Sequence, residues 1–178
     1  MKRVLSFALS LVMLMSITGG LGLTAYAGDT YYETEDNDDY SSADYVPVNS
    51  TIYGVCREYD SDWYKFTLSS SAKVNVQFSF NRADADGDWD VYLYKYDGNG
   101  DYTQLEYKDV YVYDGSYTFS SLGLPAGTYF VKVYGYNSAC GRQYSITPKC
   151  SYVSNWETEF NDEYTSADPL ALVCVKVT

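Results

Sequence analysis

Side chains of the types that hold a hard cation gather near the front of this 178-residue sequence. In the stretch "ETEDND" (33–38), Glu33, Glu35 and Asn37 alternate, so an extended backbone presents three oxygen-bearing side chains on one face. Calcium takes six to eight oxygen ligands from carboxylates, amides, backbone carbonyls and water. Asp60 and Asp62 supply a second acidic pair at the head of a strand-like run. If that pair approaches the first group, the cluster repels itself unless a cation neutralises it, and calcium is the expected cation. The competing explanation is solvation, since acidic side chains also keep the leading segment of an acidic protein in water.

Two further acidic runs resemble the opening of a helix–loop–helix calcium loop. "DADGDWD" (84–90) and "DGNGD" (97–101) both lack glycine at the sixth position, and their twelfth positions are Lys95 and Lys108. Tight-turn chemistry accounts for both better, because Asp, Asn and Gly are the residues that turns require. Catalysis has little to work with. The chain contains no histidine, which excludes Ser-His-Asp and Cys-His arrangements and His-based zinc sites, and no carboxylate pair is set apart for glycoside chemistry. The expectation is a protein that is not an enzyme.

Tyrosine is the other conspicuous residue, with 22 copies. If the aliphatic residues of the same strands face the core, Tyr92, Tyr94, Tyr96, Tyr111, Tyr113, Tyr134 and Tyr136 lie on outward faces, where they could contact an extended protein or polysaccharide. Cross-strand aromatic pairs also stabilise sheets without any ligand.

Lys2 and Arg3, an apolar run from Val4 to Met15 and small residues ending in "AYA" read as a Sec signal peptide over 1–27. No later segment is apolar enough to span a membrane. Removing the signal takes away two basic charges and moves the net charge from −12 to −14, which argues against nucleic acid as a partner. In an exported chain four cysteines point to disulfides; Cys56, Cys140, Cys150 and Cys174 allow three pairings, of which Cys140–Cys150 would clip a terminal hairpin.

The body of the chain alternates apolar and polar residues between turn signals and shows no long helical period. Strands are expected at 62–68, 73–80, 89–96, 107–114, 115–122, 128–136 and 143–149, giving an antiparallel β-sandwich within 28–150. "ETEDNDDYSSAD" (33–44) then aligns without gaps on "ETEFNDEYTSAD" (157–168). A period of 124 residues is the size of a domain, so 151–178 reads as a linker and the truncated start of a second copy, and an adjacent domain is an expected partner.

Several motifs in order carry a resemblance: E-x-E-x-N-D, Gly54, D-x-D-W-Y-x-F-x-L (60–68), D-x-D-V-Y-L-Y (88–94), D-G-N-G (97–100) and A-G-T-Y-x-V-x-V-Y-G (126–135). Together they resemble the bacterial pre-peptidase C-terminal domain, to which the collagen-binding domains of clostridial collagenases are similar. The resemblance implies a jelly-roll-like sandwich, all-β and non-catalytic, appended to secreted exoenzymes. It also implies calcium at the acidic leader, with Glu33, Glu35, Asn37 and Asp38 in the ligand segment and Asp60 and Asp62 as the acidic pair.

Overall fold

The computed structural model describes residues 29–81, 88–111, 114–136, 139, 141–152, 156–163 and 165–169. The signal segment, Tyr113, Cys140, Cys174 and the 84–87 part of the first acidic run lie outside the described residues.

Eleven strands stack as two sheets. One has the order β1 (Thr30–Tyr32), β3 (Thr51–Val55), β11 (Gln143–Ser151), β5 (Ala72–Phe80), β8 (Ser116–Thr118), with β9 (Leu122–Leu124) also paired to β5. The other runs β2 (Asp44–Tyr45), β4 (Ser61–Leu68), β10 (Gly127–Gly135), β6 (Asp88–Gly98), β7 (Asp101–Tyr111). The sandwich is all-β as expected, but its sheets are mixed. The leader runs parallel to β3 through β1 and parallel to β4 through β2, so one N-terminal segment edges both sheets. Among the described residues no helix is long and apolar enough to cross a membrane.

Period-two alternation decides what is inside. Tyr64, Phe66 and Leu68 of β4 and Val74, Val76 and Phe78 of β5 are buried between the sheets with Trp89, Val91 and Leu93 of β6. The expected strand at 107–114 begins earlier, at Asp101, because Gly98, Asn99 and Gly100 all adopt positive φ and fold β6 and β7 into one long hairpin. In that turn the Asp97 carboxylate accepts from Lys95 Nζ at 3.2 Å and Thr103 Oγ1 at 2.5 Å. The expected strand at 115–122 is instead two short strands, β8 and β9, on one edge of β5.

Cys56 and Cys150 both carry free thiols. They sit at opposite ends of β11, since Val55 pairs with Gln143 while Cys150 pairs with Val74, so these two cysteines do not bridge one another; the expected Cys140–Cys150 pairing involves a residue outside the described ones.

Candidate metal centre

The alternation that buries Tyr64, Phe66 and Leu68 also places Asp62 in the core row of β4, and Asp62 is fully buried. A carboxylate at the end of a core row loses its hydration. Burial, aided by the charges of Glu33, Asp60 and Glu35, pushes the Asp62 pKa up to about 8, against a lowering hydrogen bond from Tyr144. Tyr144 OH donates to Asp62 Oδ2, and Oδ1 has no partner.

The leader closes over this end of the sandwich. Asn37 is fully buried; its backbone carbonyl accepts from Trp63 N at 2.9 Å, which seats it beside Asp62. Its Nδ2 lies 3.5 Å from Asp44 Oδ2, while Oδ1 is unpartnered. Glu35 Oε2 is buried and unpartnered too, and its Oε1 meets Arg57 Nε at 3.2 Å. Asp60 caps the preceding turn, accepting from Arg57 N and Ser61 N at 3.0 Å each. Carboxylate oxygens of Glu35, Asp60 and Asp62 lie within 4.8 Å of one another. Burial and the neighbouring Asp60 charge raise the pKa of Glu35, and the same two causes raise that of exposed Asp38.

Glu33 is placed differently from the rest. Its Oε1 accepts from Val55 N at 2.5 Å and its Oε2 from Tyr64 OH at 2.7 Å, so both oxygens serve hydrogen bonds beneath the cluster. Tyr64 OH also lies 2.6 Å from Tyr144 OH, which completes a chain from Glu33 through two phenols to Asp62. Gly54 makes the chain possible: a Cβ there would collide with Tyr64 Oη, Glu33 Oε2 and the Tyr144 ring. Cys56 lies under the same end, its Sγ 4.0 Å from Asp62 Oδ2; burial first, then that carboxylate, keeps its thiol protonated.

The donor set suits a hard cation. The carboxylates of Glu35, Asp60 and Asp62 come together, Glu35 and Asp62 each with an orphaned buried oxygen, Asn37 of the same leader carries a further orphaned amide oxygen, and no nitrogen or sulfur donor is needed. Reasoning from sequence missed Tyr144, Tyr64 and Arg57. Tyr64 shares the period-two row of Asp62 and was within reach of that signal, whereas Tyr144 arrives from a strand 80 residues away.

The tyrosines behave as two groups. Tyr94 stacks on Trp63 with centroids 5.6 Å apart, and Tyr96 and Phe130 meet edge to face at 5.8 Å. Tyr40, from the turn after the leader, packs on Trp63 and Phe130 and closes a small second core on the outer face. Tyr92, Tyr107 and Tyr136 instead donate to buried Asp90, at 3.2, 2.8 and 3.0 Å. Tyr134 meets Tyr136 edge to face, and Tyr111 stands exposed at the end of β7.

Sandwich and cluster together define an all-β module whose N-terminal leader is held at one end of the core by buried acids. Residues 60–135 match the family model of the bacterial pre-peptidase C-terminal domain. Such domains are β-sandwich accessory modules of larger extracellular proteins, collagenases among them, and are non-catalytic. Among solved structures, the chain is similar to the pre-peptidase C-terminal domain of collagenase from Bacillus anthracis, at 20% identity and TM-score 0.45, covering 60% of this chain and 94% of that one. It is similar also to the mitogen of Yersinia pseudotuberculosis, at 11% identity and TM-score 0.42, covering 62% and 90%. No curated protein matches the sequence.

Proposed function

We propose that the protein is a secreted, non-catalytic accessory module that binds calcium through its acidic leader and serves as a spacer or targeting domain in a tandem array. The observation that carries this reading is the convergence of the Glu35, Asp60 and Asp62 carboxylates, Glu35 and Asp62 each with a buried, unpartnered oxygen. Glu35, Asn37, Asp60 and Asp62 would hold the ion, with Asp38 near enough to Asp60 to contribute, and Glu33 would position the set through Val55 and Tyr64. When bound, calcium supplies the positive charge that lets three neighbouring carboxylates ionise together. The chain's own part is mechanical: the ligands belong to both the leader and β4, so neutralising them pins the leader to the sandwich and stiffens whatever it joins.

The test is thermal unfolding in millimolar calcium against EDTA, for the unsubstituted chain and for Glu35→Gln. At calcium tenfold above the dissociation constant the folded state gains about 1.4 kcal/mol, which reads as a rise in Tm. The Glu35→Gln variant should lose most of that rise; an identical melt with and without calcium would sink the reading.

A second reading, adhesion, is favoured by Tyr107 and Tyr111, which stand 48% and 53% exposed on edge strand β7. An adhesive module should be retained on insoluble collagen or polysaccharide and released by Tyr107→Ser with Tyr111→Ser. A spacer should bind neither support.

A further inference from the structure

The second acidic leader does not hang free of the sandwich. Glu159 N–H donates to the Gly123 carbonyl of β9 at 2.5 Å, and the Glu157 carbonyl lies so close over Gly123 that any Cβ there would overlap it. Trp156 sits under Lys73 of β5, with Nζ 3.8 Å from the ring centroid. Phe160 takes Lys95 of β6 at 4.6 Å. The segment 156–160 thus touches both sheets at one end of the sandwich, by main chain in the middle and by a cation on a ring at each side.

The first leader is seated by the same kind of contact on its own domain. Tyr32, the counterpart of Trp156, stacks on Tyr53 of β3 at 5.8 Å, and Glu33 N–H donates to the Tyr53 carbonyl at 2.9 Å. The amides differ, however. The first copy uses Glu33, whose counterpart is Glu157, whereas the second copy uses Glu159, whose counterpart is Glu35. The two attachments thus use different amides of the leader, two residues apart.

We propose that the β9 edge around Gly123, flanked by Lys73 and Lys95, is a seat for the acidic leader of a following copy of this domain, held there through the Glu159 N–H. Successive sandwiches would then be joined by a hydrogen-bonded segment and not by a free linker. The seat contains no metal ligand, so it stands or falls separately from calcium binding.

Amide hydrogen exchange on the purified chain in EDTA tests it without involving the metal. The Glu159 amide should exchange about tenfold or more below its free-chain rate. Gly123→Ala should return it to that rate, and Trp156→Ala should cut the protection several-fold, while β4 and β11 amides keep theirs in both. If Gly123→Ala does not fold, Trp156→Ala decides alone, since its ring lies outside the core. Free-chain exchange at Glu159 in the unsubstituted protein, or equal protection in the variants, would overturn the proposal.

Discussion

The two acidic leaders share a local fold and differ in what lies beneath them. Thr34 N–H donates to Asp44 Oδ2 at 2.7 Å, and Thr158 N–H donates to Asp168 Oδ2 at 2.6 Å. Ser42 N–H caps the Asp39 carbonyl at 3.0 Å, and Ser166 N–H caps that of Glu163 at 2.9 Å. The dodecapeptide therefore encodes its own turns. It does not encode a site. Asn37 is fully buried and its carbonyl is held by Trp63 N–H, whereas Asn161 is half-buried and Asp162 exposed. What separates the first leader from the second is a core-facing aspartate, Asp62, supplied by another strand.

That difference is broken most strongly by removing the charge of Asp62. Its folded pKa, about 8 in the metal-free protein, lies above the ordinary value near 3.9 in an unfolded chain, so between these pH values the folded state binds more protons. The contribution of protonated Asp62 to the stability of the metal-free protein is fully present below about pH 4 and is lost as pH rises through 8. Asp62→Asn copies the protonated form. In EDTA at pH 8 it should be more stable than the parent by on the order of several kcal/mol in urea unfolding, with the gap closing toward pH 4. Asp162→Asn in the second leader should move nothing, and a flat pH profile for the parent would refute the assignment. The same linkage has calcium displacing the Asp62 proton, so binding near pH 7 should release protons and tighten as pH rises.

Much of this was legible in the sequence, and the limits have physical causes. The rows Tyr64-Phe66-Leu68 and Val74-Val76-Phe78 follow from alternation alone, and so does the position of Asp62 two residues before Tyr64. The acidic leader was readable from residue type, whereas its meeting with Asp60 and Asp62 followed only from the family resemblance. What alternation cannot give is which partner a side chain finds across the sandwich. Glu33 has the same chemistry as Glu35, yet it spends both oxygens on Val55 and Tyr64 because Gly54 opens a slot there. Likewise the outward tyrosines were placed by period, but not Tyr40, which folds back from a turn to cover Trp63 and Phe130, nor Tyr102, hidden by the expectation that the β7 strand began at 107.

The smallest effect should come from the turn that both leaders share, and it sharpens the comparison most. Asp44 holds two things, the Thr34 amide and, less closely, the Asn37 side chain, while among the described residues Asp168 holds the Thr158 amide alone. An exposed hydrogen bond to a carboxylate contributes about 1 kcal/mol, and more when a buried polar group depends on it. Asp44→Ala should therefore cost about 1–2 kcal/mol in urea unfolding and weaken calcium binding, because Asn37 loses the group that orients its amide. Asp168→Ala should stay within about 0.5 kcal/mol, since its bond lies outside the cooperative core and opens before the sandwich unfolds. Equal costs at the two positions would mean that the second leader rests on as much structure as the first, and the contrast between turn and site would have to be abandoned.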